Sequence, residues 1–142
     1  MLMDHSNSEE RIIERLKSFG LRPTRQRIAL ASLLFSEGDR HVTAEMLHVE
    51  AIRDSVPVSL ATVYNTLHQF TEAGLLREVA VEGARTYFDT NTSDHSHYYV
   101  EADGSLVDIE NEYAPIVTAP KAPEGMAISR IDVLVRLVKK DA

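Results

Sequence analysis

Residues 58–88 read VSLATVYNTLHQFTEAGLLREVAVEGARTYF, and a helical period gives way to a strand period inside this stretch. Ser59 can cap a helix. Leu60, Val63, Leu67 and Phe70 then recur at three- and four-residue intervals, the spacing of one buried stripe. The helix runs to Ala73, and Gly74 supplies the stop. Leu75 to Val81 and Thr86 to Phe88 read as strands, joined by a turn at Glu82-Gly83-Ala84. A helix that runs directly into a β-hairpin, with other helices before it, predicts a winged helix. The buried stripe leaves Ala61, Thr62, Asn65, His68 and Gln69 on the outer face, with Tyr64 on its flank. Such a face offers a phenol and an amide to base edges, as a helix seated in the major groove requires.

Upstream, Ile12, Ile13, Leu16 and Phe19 place a helix over Glu9 to Phe19, with Ser8 as N-cap and Gly20 as stop. After Pro23, Thr24 caps a helix to about Phe35, whose apolar residues are Ile28, Leu30, Leu33 and Leu34, closed by Gly38. Thr43 caps another, to about Asp54, and Pro57 breaks the chain before Ser59. Downstream, Asn91-Thr92-Ser93-Asp94 is a polar linker, followed by strands at Tyr98 to Glu101 and Leu106 to Ile109 around a turn at Asp103-Gly104. Pro115, Pro120 and Pro123 oppose a long helix between Glu112 and Glu124, and Ile131, Val133, Val135 and Leu137 alternate as a last strand.

The expected class is therefore α+β. A winged-helix DNA-binding domain covers residues 1–88, a hinge carrying ligand residues covers 89–97, and a small, mostly β dimerisation domain covers 98–142. A segment of about fifty residues buries too little apolar surface to stand alone, so a sheet shared across a homodimer is expected.

Composition narrows the chemistry. The chain has no cysteine, which excludes disulfides, thiolate zinc sites, thiolate-held iron–sulfur clusters and cysteine nucleophiles; any metal must use His, Asp or Glu. The first ten residues are polar and acidic and resemble neither a signal nor a transit peptide, and the run Ile28 to Phe35 is too short to span a bilayer. A cytoplasmic protein without a membrane partner is expected. The net charge of −7 opposes nucleic-acid binding, but its distribution does not. Arg11, Arg15, Lys17, Arg22, Arg25 and Arg27 face the single acid Glu14, whereas ten acids stand against five bases from Asp89 onward. That asymmetry predicts a front that meets phosphate and an acidic rear.

Three stretches carry a family resemblance: GLRPTRQR at 20–27, HVTAEML at 41–47 and VSLATVYNTL at 58–67. They resemble the DNA-binding half of the ferric uptake regulator family, and the likeness continues through Ala73-Gly-Leu-Leu76, Thr86-Tyr-Phe-Asp89 and His95-Ser-His-Tyr-Tyr-Val-Glu101. Pro57 to Leu67 and the His-x-His-Tyr-Tyr segment resemble the iron response regulator branch. The resemblance implies a homodimer on an A/T-rich palindromic double-stranded operator, contacted through Arg22, Thr24, Arg27, Ser59, Thr62, Tyr64 and Asn65. Arg22 would enter the minor groove and Tyr64 would meet a thymine methyl. An arginine ahead of a helix suits the strong negative potential of a narrow A·T groove, and an asparagine can bond adenine at two points.

His95 and His97 alternate at a strand start, so their side chains point the same way and can grip one ion or one haem iron. Taken alone, such a pair is ordinarily solvated surface. The resemblance implies more: His41, Asp89, His95, His97 and Asp108 converge on one manganese, iron or zinc ion, an all-N/O donor set. Asp89 and Asp108 stand where the wider family usually has the longer Glu. A second family metal site is missing, with Asp94, Ser96 and Ile131 at its positions, and Val100 and Asp103 replace the first cysteine pair of a structural zinc site. The iron response branch implies haem as the signal, bound through His95 and His97, and DNA binding when iron is scarce. Three successive histidines, common in that branch, are here His95-Ser96-His97, and a Cys-Pro haem motif is impossible. His5, His48 and His68 read as helix or surface residues. The competing readings are a repressor that needs bound metal, a metal-dependent hydrolase activating water at an open coordination position, and a haem or metal carrier.

Overall fold

The computed structural model of the chain describes residues 5–81, 85–93, 95–110 and 118–140, with side chains from Ser8 onward except Arg85. The predicted turn at 82–84, Asp94 and Pro115 lie outside the described residues. The chain divides into Met1–Thr92 and Ser93–Ala142. This boundary falls within the predicted hinge, yet the hinge's two ends are strand residues, Asp89 closing one strand and His97 opening another.

The first unit contains α1 (His5–Ser18), α2 (Arg25–Phe35), β1 (His41–Val42), α3 (Ala44–Arg53), α4 (Leu60–Glu72), β2 (Arg77–Val81) and β3 (Arg85–Asp89). Its helix starts are those the cap residues announce. Thr24 accepts from the Arg27 N–H, Thr43 from Met46 and Ser59 from Thr62, each cap contributing about 1 kcal/mol. The first helix departs from expectation. It begins at His5, so Ser8 lies inside it and is no cap. Ser6, Asn7 and Ser8 are all cap formers, and such a run marks no unique start.

Three of the four helix ends share one device. Leu21 N–H reaches the Leu16 carbonyl at 2.9 Å and Gly20 N–H the Lys17 carbonyl at 2.9 Å, closing α1. Leu75 to Phe70 (2.9 Å) and Gly74 to Thr71 (3.0 Å) repeat the pattern at α4, with both glycines at positive φ. At the end of α3 the same closure is made by Val56 to Ala51 and Ser55 to Ile52. There Ser55 occupies the left-handed position, at φ 59°, without being glycine.

A three-stranded antiparallel sheet in the order β1-β3-β2 completes the wing. Its register sets His41 opposite Asp89, Val42 opposite Phe88, and Arg77 opposite Asp89 on the other side. The sequence did not announce β1, which at two residues is too short to show a period. Leu16, Leu30, Leu34, Val42, Leu47, Val63, Leu67, Phe70 and Phe88 are wholly buried in one core. Each such side chain contributes roughly 1.5–3 kcal/mol by leaving water. The stripe of α4 is Val63, Thr66, Leu67 and Phe70. Leu60, expected inside, is 36% exposed, because at the first helical position it sits before the helix meets the core.

The second unit is a three-stranded sheet in the order β5-β4-β6, with β4 His97–Val100, β5 Ser105–Asp108 and β6 Leu134–Leu137. β4 and β5 form a hairpin that sets His97 opposite Asp108, and β6 lies parallel to β4. The last strand starts at Leu134, not Ile131; Ile131 is 43% exposed, so the apolar alternation there marks no paired strand. Leu106 and Ile109 are the buried apolar side chains of this unit among the described residues, while Val107, Leu137 and Val138 stay in solvent. No helix of the described residues is long and apolar enough to cross a membrane.

Candidate nucleic-acid face and candidate metal ligands

The outer face of α4 carries Ala61, Asn65, His68 and Gln69 in solvent, with Thr62 and Tyr64 half-buried beside it. The phenol of Tyr64 donates to Glu45 Oε1 on α3 at 3.1 Å. That hydrogen bond, then partial desolvation and the charge of Glu45, raise the Tyr64 pKa above its ordinary value. The Tyr64 ring lies nearly parallel to His68, 6.3 Å between centroids, and His68 in turn meets the edge of Phe88 at 5.6 Å. His68 is therefore a spacer between the outer face and the sheet, a role its sequence position does not suggest.

Arg22 is exposed in the loop before α2. Arg27 instead uses its guanidinium within the chain, donating to the Arg22 carbonyl at 3.0 Å and to Gln69 Oε1 at 2.9 Å. It braces the Arg22 loop to α4. Thr24, Ser59 and Thr62 are engaged at helix starts: Thr24 Oγ1 receives the Arg27 N–H, and Ser59 Oγ both receives the Thr62 N–H and donates to Thr62 Oγ1. The free N–H groups of a helix N-terminus and its dipole suit a phosphate at either place.

Of the predicted ligands, the first unit holds His41 and Asp89. Cross-strand pairing makes them neighbours, and His41 Nε2 lies 3.2 Å from Asp89 Oδ2. Asp89 is wholly buried. Its other oxygen, Oδ1, accepts the Asn91 N–H at 2.9 Å, which fixes the carboxylate plane. Because the partners sit directly opposite in the register, the short Asp arm reaches His41.

The second unit holds the other three. His97 and Asp108 are also register partners, with Nε2 to Oδ1 at 3.3 Å, and His95 Nε2 approaches the same oxygen at 3.1 Å. The two rings are 4.4 Å apart. His95 Nδ1–H donates to the Ser93 carbonyl at 2.6 Å; a carbonyl can only accept, so this bond sets the tautomer and leaves Nε2 as the ligating atom. Neighbouring donors about 2.0–2.2 Å from one ion, at bond angles near 90–110°, stand about 2.8–3.6 Å apart. The separations within each group meet that requirement, and imidazole with carboxylate suits a divalent first-row ion.

Residues outside the sequence reading hold these groups in place. Arg40, next to His41, donates to both carboxylate oxygens of Glu50 at 2.8 and 2.6 Å and to the Leu33 carbonyl at 2.9 Å. The Glu50 bond chiefly raises its already high pKa. Its backbone N–H reaches Thr90 Oγ1 at 2.7 Å, and the Thr90 N–H returns to the Arg40 carbonyl at 3.0 Å. Arg40 and Thr90 thereby flank the His41–Asp89 pair on both strands. Nothing in their spacing signals this, since the bonds join positions 50 apart. His48, read as a helix or surface residue, lies on α3 and ties it to the segment before α4 through the Val58 carbonyl at 3.1 Å.

The model of the ferric uptake regulator family matches residues 18–135. The chain belongs to the ferric uptake regulator family. It is 40% identical over 97 residues to the peroxide operon regulator of Bacillus subtilis, a match covering 68% of this chain and 66% of that relative. Over 101 residues it is 34% identical to the peroxide-responsive repressor PerR of Staphylococcus aureus, covering 71% and 68%. The solved ferric uptake regulator from Pseudomonas aeruginosa with manganese shares the fold, with TM-score 0.69 at 22% identity over 92% of this chain and 98% of that one. Members of the ferric uptake regulator family are transcription regulators rather than enzymes, which sets aside the hydrolase reading.

Proposed function

We propose that this protein is a cytoplasmic, homodimeric regulator of iron and haem homeostasis that binds an A/T-rich palindromic operator when iron is scarce and leaves it when haem arrives. The observation that carries the DNA-binding part is the outer face of α4, where Tyr64, Asn65 and Gln69 stand beside the Arg22 loop that Arg27 braces. Arg22 and the N-termini of α2 and α4 serve phosphate and minor groove, and Tyr64 and Asn65 serve base edges. The iron response assignment rests on the residues at 57–67 and on His95-Ser96-His97.

In this reading His41, Asp89, His95, His97 and Asp108 hold one divalent cation, manganese, iron or zinc, and His95 with His97 form the point of haem attack. An ion held there would supply a fixed positive charge; the chain's own residues aim the donors, through Asn91 on Asp89 and Ser93 on His95. Because His41 and His97 belong to different units, a ligand that needs both couples the DNA-binding unit to the second unit.

A second reading has its own support. His95 and His97 leave only 5% and 4% of their side chains exposed, and both face a single Asp108 oxygen. Such a nest receives a bare ion more readily than a planar macrocycle, which favours a repressor that requires bound metal.

Operator binding at fixed salt separates the two. Chelated protein, manganese-loaded protein and haem-treated protein are compared on a palindromic A/T-rich duplex. The iron response reading expects binding without haem and at least tenfold weakening with it. Binding that requires metal and ignores haem replaces it with the corepressed repressor.

A further inference from the structure

The Tyr64–Glu45 contact joins the flank of the outer face to a different helix. Glu45 lies in the first turn of α3, where the Thr43 cap and the positive helix end favour a carboxylate. It accepts the Tyr64 hydroxyl at 3.1 Å. The Tyr64 ring is held separately, against His68, which rests edge-on against the buried Phe88. The ring is thus set by packing from the sheet side, and the hydroxyl by one acceptor from α3. Glu45 is also an acid beside a helix whose Gln69 receives Arg27, which in turn holds the Arg22 carbonyl.

Resting on the reading of α4 as the DNA-contacting helix, we propose that Glu45 is a positioning residue for base recognition: it aims the Tyr64 phenol at the major groove and, by its charge, keeps phosphate from that flank. Two separable effects follow. Loss of the acceptor frees the phenol and lowers discrimination between sequences. Loss of the charge alone strengthens binding to any duplex, since one more phosphate can approach, and steepens the salt dependence by up to about one unit of log K against log salt.

The test uses the full-length protein and two duplexes, one selected by the wild-type protein from a random pool and a scrambled version of it. The affinity ratio between them is measured for wild type, Glu45→Ala, Glu45→Gln, Tyr64→Phe and the pair Glu45→Ala with Tyr64→Phe. Glu45→Ala is expected to lower the ratio about three- to tenfold, the worth of one hydrogen bond. Glu45→Gln, which keeps an acceptor, restores most of the ratio while raising scrambled-duplex affinity. In the Tyr64→Phe background Glu45→Ala adds no further loss. Tyrosinate absorbance, taken as wild type minus Tyr64→Phe, gives a readout without DNA: Glu45→Gln brings the Tyr64 midpoint down toward the ordinary phenol. An unchanged ratio in Glu45→Ala, or an equal loss with and without the Tyr64 hydroxyl, overturns the role of Glu45 while leaving DNA recognition intact. Failure of the wild-type protein to select any duplex overturns recognition by α4 and the role of Glu45 together.

Discussion

The two units solve the problem of small size differently. Residues 1–92 close a core around Phe70 and Phe88, cap three of four helices with Thr24, Thr43 and Ser59, and end helices by the same carbonyl-satisfying turn. Residues 93–142 bury Leu106 and Ile109 and leave Val107, Leu137 and Val138 in water. The first unit closes an apolar core of its own. Among its described residues the second has strand pairing without a matching apolar interior, which is the condition of a sheet completed by another copy.

The largest predicted effect sharpens that contrast. Phe70→Ala removes a wholly buried ring and costs about 3–5 kcal/mol, measured by denaturant unfolding of the full chain, with the same loss at any protein concentration. Leu106→Ala in the second unit costs less, and its penalty shrinks as concentration rises, because association restores what the unit lacks. Concentration-independent unfolding of both variants breaks the contrast.

Arg40→Met comes next. It removes the clamp on Glu50 and Leu33 beside His41, and manganese affinity falls about 10- to 100-fold while helix content is kept. Calorimetric titration reads the first and circular dichroism the second. Ser59→Ala takes the cap from α4, a loss of about 1 kcal/mol confined to the first unit, visible in the denaturation midpoint. The smallest effect has the opposite sign. Ser55→Gly relieves a left-handed residue at the end of α3, and a gain of up to about 1 kcal/mol is expected from relief of that strain; a lower midpoint contradicts it.

Local rules made the first unit legible. Cap residues and stop glycines act within a turn of the helix they bound, so Thr24, Thr43, Ser59, Gly20 and Gly74 declared their elements directly. The same rules failed where they were degenerate, at Ser6-Asn7-Ser8, or had too little chain to act on, at His41-Val42. In the second unit, the alternation from Ile131 suggested a longer strand than the pairing supports, because period alone does not reveal where a neighbouring strand begins. The candidate ligands came from the family resemblance, and cross-strand register supplies the reason His41 meets Asp89 and His97 meets Asp108. What holds them was not legible. Arg40, Glu50 and Thr90 act through bonds between distant positions, and at the separate outer face of α4 Glu45 holds Tyr64 through a contact between two helices.

The central proposal is that His41, Asp89, His95, His97 and Asp108 hold one cation, and manganese stoichiometry in single variants tests it most directly. Calorimetry on wild type, His41→Ala and His97→Ala is predicted to show one ion per chain in wild type, and the same large loss of affinity in both variants, although their histidines belong to different units. Retention of full affinity by His41→Ala would contradict the account and confine the ion to His95, His97 and Asp108.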